Sequence, residues 1–191
     1  MLIYIHGFNS SPASSKARQI RQELEALGRG AEFSAPALPH SPAAAAALLD
    51  EVIAKHPGAA LVGSSLGGYY ATHLAEKHGL RAVLLNPAVR PYELLKDHLG
   101  PQQNFHTGER YEFTARHVEE LRALEVAGIT PARYLLLAAT GDEVLDYRAA
   151  VERYRGCRRI VIQGGDHSLG DFADYLGAVL EFCGMAREGR K

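Results

Sequence analysis

The chain has 191 residues, of which 47% are hydrophobic, so it is long enough to bury one substantial core. We therefore expect a single domain over residues 1–191. Its 21 basic and 22 acidic residues leave a formal net charge of −1, which provides no net field to attract nucleic acid or an anionic membrane.

Short apolar runs alternate with helical patterns along most of the chain. The predicted strands are "LIYI" (2–5), "AEFSAPAL" (31–38), "AALVGS" (59–64), "RAVLLN" (81–86), "RYLLLAA" (133–139) and "RRIVIQ" (158–163). The predicted helices cover 15–27, 42–55, 66–78, 146–154 and 168–183. Strands that are apolar on both faces and alternate with helices indicate an α/β fold: a six-stranded, mainly parallel sheet with helices on both faces.

One long polar segment interrupts this alternation, at about 90–130. It contains "LGPQQNFHTGERYEF" and a helical pattern, "TARHVEELRALEV", and it is too long for a simple crossover. We expect an insertion that covers one edge of the sheet. Its apolar residues either line a pocket or belong to the core under a long loop; they are Tyr92, Leu94, Leu95, Phe105, Tyr111 and Phe113.

The sequence carries no signal for export, membrane insertion or metal binding. Met1 leads directly into "LIYIHGF", and no apolar stretch reaches membrane-spanning length. We expect a cytoplasmic protein. Cys157 and Cys183 lack metal-ligand spacing and are expected to be reduced core thiols.

In an open parallel sheet, ligands bind beyond the carboxyl ends of the strands, where loops and helix N-termini converge. Four loops therefore matter most: "HGFNSS", "GSSLGG", "TGDEVLD" and "GGDHSLGD". Gly63, Ser65 and Gly67 in the second loop fit the pattern G-x-S-x-G, in which small flanking residues let a serine project from a strained strand-to-helix turn. Ser65 is the candidate nucleophile. The alternative is a flexible turn in which Ser64 or Ser65 caps the helix.

A nucleophilic serine needs a base and an orienting carboxylate. His167 is the one histidine in a strand-following loop just before the final helix, and it is the candidate base; the alternative is a surface histidine that caps a helix. Asp142 directly follows "LLLAATG" and is the candidate acid, whereas Asp146 is expected to begin the next helix. The rival carboxylates are Glu143, Asp146, Asp166 and Asp171.

An acyl transfer also needs two donors for the oxyanion. The N–H of Phe8, in the loop after the first strand, and the N–H of Leu66, after the serine, are the candidate pair. Gly7, Asn9 and Ser10 could alternatively form only a tight turn.

Five stretches closely resemble the small bacterial α/β-hydrolases of the YqiA-type esterase family: "LIYIHGFNSSPASSKA", "LVGSSLGGYYATHLAE", "LLNPAVRPYELL", "TGDEVLDYRAAVERY" and "GGDHSLGDFADYL". The resemblance covers nearly the whole chain. It implies a three-layer α/β-hydrolase fold reduced to its later six strands. It also implies hydrolysis of carboxylic esters or thioesters by Ser65, Asp142 and His167, in that chain order.

Two hypotheses of different classes follow. The first is an esterase or thioesterase for small to medium acyl groups, with a small-molecule substrate and no cofactor, because a serine triad needs none. The second is a hydrolase-like binding module without significant catalysis. Nucleotide binding is disfavoured, because no glycine-rich phosphate loop is present.

Overall fold

A computed structural model describes residues 1–186 of the chain. Within this range there are eight β-strands. They are β1 (Leu2–Ile5), β2 (Phe33–Ser34), β3 (Ala60–Ser64), β4 (Ala82–Leu85), β5 (Gly100–Gln103), β6 (Arg110–Phe113), β7 (Tyr134–Ala139) and β8 (Arg158–Ile162). The seven α-helices of the same range are α1 (Ser15–Ala26), α2 (Pro42–Lys55), α3 (Leu66–His78), α4 (Pro91–Leu95), α5 (Ala115–Ala123), α6 (Tyr147–Arg153) and α7 (Leu176–Phe182).

Six strands form one sheet in the order β2-β1-β3-β4-β7-β8, and every neighbouring pair in it is parallel. The predicted six-stranded parallel sheet is therefore confirmed. Strands β5 and β6 pair with each other as an antiparallel hairpin and, in the part of the chain that the structure describes, with no other strand. The sequence interpretation missed this hairpin, because its strands are short and alternate between exposed and half-buried residues until Phe113.

Successive side chains along the strands point to opposite faces of the sheet and pack into two cores, one on each face. Ile3, Leu61 and Leu84 pack with helices α2, α3, α5 and α6 on one face. Leu2 and Val62 pack with helices α1 and α7 on the other. This alternation gives the three layers that the sequence predicts.

Two predicted elements differ most from the bounds that the structure has. The strand predicted over 31–38 is reduced to two residues, since Pro36 has no N–H for a sheet ladder. The helix predicted over 168–183 was wrong at its start: Leu169 has a φ of 50°, a left-handed conformation that a helix cannot accommodate. A 3-10 turn over Phe172–Tyr175 precedes α7 instead.

Among the described residues, no helix is both long enough and apolar enough to cross a membrane. Cys157 and Cys183 are both buried and unpaired, in agreement with the expectation of core thiols. Burial raises the pKa of the Cys183 thiol to about 12, which keeps it protonated and unreactive.

Candidate active site

Ser65 occupies a sharp corner between β3 and α3. Its backbone angles are φ 54° and ψ −120°, a strained combination for a residue with a side chain. Main-chain hydrogen bonds fix the corner: Ser65 N–H donates to Leu85 O (3.0 Å), and Ser65 O accepts from the N–H groups of Gly68 (2.9 Å) and Ala88 (3.1 Å). The strain is therefore held by the surrounding strands.

The flanking glycines are a steric requirement of this corner. A Cβ at Gly63 would overlap the backbone of Gly67 and lie 2.7 Å from Gly68 Cα. A Cβ at Gly67 would overlap the carbonyl group of Ile5. The G-x-S-x-G pattern therefore reflects close packing of the helix start against two strands.

Three residues predicted from different loops form one hydrogen-bonded chain. His167 Nε2 lies 3.1 Å from Ser65 Oγ, and His167 Nδ1 lies 2.8 Å from Asp142 Oδ2 and 3.0 Å from Oδ1. The Asp142 side chain is 2% exposed and that of His167 is 22% exposed. The Nδ1 edge of the imidazole is thus fixed by a buried carboxylate, while the ring itself stays partly exposed.

The Asp142 carboxylate is held by the backbone that follows it. Oδ1 accepts hydrogen bonds from the N–H groups of Val144 (2.9 Å) and Leu145 (2.8 Å). The rival Asp146 has another position: it is the N-cap of α6, and its side chain accepts from Arg148 N–H (3.0 Å). Asp146 thus begins the following helix, as the sequence predicts, and the role of Asp142 as the acid stays a prediction.

The histidine loop is anchored by two residues whose roles the sequence interpretation missed. Glu143 accepts the main-chain N–H of His167 through Oε2 (2.9 Å). Asn86, which is buried at the end of β4, donates through Nδ2 to His167 O (3.2 Å) and Asp166 O (3.0 Å). The available signal for Asn86 was a polar residue that ends the apolar run "RAVLL" at the functional edge of the sheet.

The first loop, residues 6–11, lies directly against the serine corner. A Cβ at Gly7 would lie 3.2 Å from Ser65 Cβ and 3.7 Å from Ser65 Oγ. Gly7 O accepts from Ser10 N–H (3.3 Å), so a tight turn is also present here. Because the C=O and N–H of a trans peptide point in opposite directions, the Phe8 N–H faces out of this turn.

His6 also contacts the peptide between Gly7 and Phe8. Its Nε2 accepts from Leu38 N–H (3.2 Å), which places the ring proton on Nδ1, 3.0 Å from Gly7 O. Burial lowers the pKa of His6, which keeps the ring neutral and in this tautomer. His6 therefore helps to set the conformation of the first loop.

Phe8 and Leu66 line one small pocket of about 40 Å³ beside the serine corner. Within residues 1–186, neither of their N–H groups donates a hydrogen bond to another protein atom. Both N–H groups are thus without a protein acceptor in the described part of the chain. Their role as oxyanion donors stays a prediction.

A larger cavity of about 490 Å³ adjoins the other loops of the site. Pro87 and Val89, on its wall, flank Ala88, which bonds to Ser65 O; Val144 and Leu145, also on its wall, hold Asp142. The insertion residue Leu94 lines this cavity and Tyr111 lines the small pocket, whereas Tyr92 and Phe113 are buried in the core and Phe105 is exposed. The insertion thus contributes residues both to pockets and to the core, and an acyl-binding role of the pocket residues stays a prediction.

The family model described as an uncharacterised protein family, UPF0227, matches residues 1–184. The chain belongs to this family. A UPF0227 protein of Shewanella sp. (strain ANA-3) is 26% identical over 158 residues, which cover 80% of this chain and 81% of the relative.

Solved structures establish the fold class. The α/β-hydrolase domain-containing protein 10 from mouse superposes with a TM-score of 0.69 at 16% identity, covering 94% of this chain and 89% of its own. The monoacylglycerol lipase of Paleococcus ferrophilus superposes with a TM-score of 0.67 at 14% identity, covering 97% and 94%. The chain has the α/β-hydrolase fold, as its sequence predicts.

Proposed function

We propose that this protein is a serine hydrolase that cleaves carboxylic esters or thioesters of small to medium acyl groups. The single observation that carries the proposal is the hydrogen-bonded chain from Asp142 through His167 to Ser65, with N–O distances of 2.8 and 3.1 Å. These are the distances expected of a nucleophile in contact with its base and of a base in contact with its orienting acid.

In the proposed reaction, Ser65 Oγ attacks the acyl carbon while His167 Nε2 takes the hydroxyl proton. The tetrahedral intermediate then collapses: the bond to the leaving oxygen or sulfur breaks, and His167 returns the proton to that atom. Water attacks the acyl-enzyme by the same route in reverse and releases the carboxylic acid and free Ser65. Asp142 holds the imidazole and stabilises its protonated form without itself gaining the proton.

The oxyanion would accept hydrogen bonds from the Phe8 and Leu66 N–H groups. Leu66 is the first residue of α3, so its N–H lies at the positive end of the helix dipole. Two preorganised donors stabilise charge that develops only in the transition state, and this raises the rate of acylation and of deacylation.

The acyl group would extend from Ser65 into the cavity of about 490 Å³, which falls within the usual size range of small-molecule sites. The residues that line this cavity do not include Ser65, Asp142 or His167, but they include Val144 and Leu145, which follow Asp142. The similarity in fold to a monoacylglycerol lipase supports ester hydrolysis by this class of site. It does not select the acyl group, because one fold hosts many substrates.

A fluorophosphonate probe tests the proposal. The probe should label Ser65, identified by mass spectrometry of the peptide, and labelling should disappear in Ser65→Ala. Ser64→Ala is the matched control, since Ser64 is a neighbouring serine that is 8% exposed; it should still be labelled. Labelling at Ser64 would overturn the assignment of the nucleophile, and no labelling of the folded protein would favour a binding module instead.

A further inference from the structure

The β5–β6 hairpin makes a concentrated set of contacts with the first loop. We propose that this hairpin holds the first loop in the conformation that presents the Phe8 N–H to the oxyanion, with Asn9 and Tyr111 as positioning residues. The inference rests on the proposed function and adds to it a role for the inserted segment.

Asn9 is the centre of these contacts. It is 8% exposed and has a φ of 52°, in the left-handed region that asparagine tolerates better than most residues. Its Oδ1 accepts from Tyr111 Oη (2.6 Å), and its Nδ2 donates to Gln102 Oε1 (3.1 Å). Both strands of the hairpin therefore form hydrogen bonds to the side chain of Asn9, the residue that follows Phe8.

The direction of each hydrogen bond is determined. Burial raises the pKa of Tyr111 to about 12, so the phenol is protonated and donates. Gln102 uses its own Nε2 to donate to His98 O (2.8 Å), which leaves its Oε1 to accept from Asn9. The chain from Tyr111 through Asn9 and Gln102 to His98 thus has one consistent polarity, which fixes the Asn9 amide.

The hairpin turn adds contacts to the loop backbone. Phe105 N–H donates to Asn9 O (3.0 Å), and Asn104 Nδ2 donates to Ser10 O (2.8 Å). Asn104 is itself fixed, because its Oδ1 accepts from the N–H groups of His106 (2.9 Å) and Thr107 (3.0 Å). Two successive carbonyl groups of the first loop are thus held from the hairpin.

The contacts also reach Phe8 directly. Its ring meets that of Phe113 edge-on, with 5.4 Å between centroids. Among residues 1–186 the hairpin pairs with no strand of the main sheet, and an isolated two-stranded hairpin is marginally stable. Loop and hairpin therefore stabilise each other, and movement of one would move the Phe8 N–H.

Tyr111→Phe tests the inference, because it removes the hydroxyl that bonds to Asn9 and keeps the ring that stacks on His40. A displaced donor weakens the transition state more than the ground state, so kcat for p-nitrophenyl acetate should fall about tenfold while KM changes less than about twofold. Inhibition by an arylboronic acid, which forms a tetrahedral adduct with a serine, should weaken by the same factor. Gln103→Ala is the matched control: Gln103 lies in β5, the other strand of the same hairpin, is exposed and donates to Gly108 O, so the kinetics of this variant should be unchanged.

Asn9→Gly is the second variant, since glycine keeps the positive φ and removes both side-chain bonds; it should reproduce the kcat loss. Hydrogen exchange of the peptide that contains Phe8 should become faster in both variants. Unchanged kcat in both, or a rise in KM alone, would overturn the inference. If the wild-type protein shows neither turnover nor probe labelling at Ser65, the proposed function itself fails, which is a distinct result.

Discussion

Asn86 joins the end of β4 to the loop that carries His167, with 3.2 Å between Asn86 Nδ2 and His167 O. Strand β7 lies between β4 and β8, and the same side chain contacts its last residue, because Asn86 Oδ1 accepts from Ala139 N–H (2.9 Å). One buried amide thus fixes the loop of the candidate base relative to two strands.

Asn86→Gly should therefore affect both stability and turnover. Glycine keeps the φ of 42° but leaves the Ala139 N–H and the two loop carbonyl groups without this partner. The free energy of unfolding should fall by about 1–3 kcal/mol, and kcat should fall because His167 is less well fixed. Urea unfolding and ester hydrolysis measure the two effects; unchanged values of both would contradict the anchoring role.

The two aspartates of "GDEVLD" should respond in opposite ways. Asp142→Asn keeps an oxygen for the two N–H bonds but reverses the hydrogen bond to His167, so kcat should fall by about 10⁴ with little change in Tm. Asp146→Ala removes the cap of α6, so about 1 kcal/mol of stability should be lost while most activity survives. Turnover and thermal unfolding of both variants decide the assignment. Loss of activity in Asp146→Ala instead would mean that the acid is wrongly assigned.

A bulky residue at Ala149 should discriminate between acyl groups. Ala149 is exposed and lines the cavity of about 490 Å³, so Ala149→Trp can fill space without disturbing the core. We expect kcat/KM to fall for p-nitrophenyl hexanoate more than for the acetate. Ala47→Trp, at an exposed position of α2 away from this cavity wall, is the control. An equal effect on both esters would exclude the cavity as the acyl site.

Stability should decrease as the pH falls below about 6.5, the usual pKa of histidine. Burial lowers the folded-state pKa of His6, His73 and His117, so the unfolded chain binds protons that the native protein does not. Proton uptake then favours unfolding from about pH 6.5 down to the folded pKa values. Urea unfolding at pH 7.5 and 6.0 tests this, since carboxylates stay ionised at both values. We expect the free energy of unfolding to be lower at pH 6.0, and this decrease to be smaller in His73→Gln. Constant or rising stability at the lower pH would contradict the prediction.

Much of the fold could be predicted from the sequence because the chain is locally consistent. Strand β1 and helices α2 and α3 have the bounds that apolar runs and helical periodicity predict. The serine corner was predictable for a further reason: Gly63 and Gly67 stand where backbone packing leaves no room for a Cβ. At this corner, the residues that form the local motif are also the residues that tertiary packing requires.

The contacts that hold the site were less accessible to sequence reasoning. Asn86 acts on a residue 81 positions away, and Asn9 on one 102 positions away. No local pattern encodes such pairs, since they depend on how strands and the hairpin are brought together. The start of α7 was misjudged for a related reason: apolar periodicity continued through Leu169, whose left-handed backbone is set by the loop around it.

The most direct test of the central claim is the capture of an acyl-enzyme on Ser65. The protein is mixed with p-nitrophenyl butyrate, quenched in acid during steady-state turnover, digested and analysed by mass spectrometry. We expect a butyryl group on the peptide at Ser65, absent from Ser65→Ala, whose turnover should be lower by about 10⁶. A butyryl group on another residue, or Ser65→Ala that turns over at the wild-type rate, would contradict it.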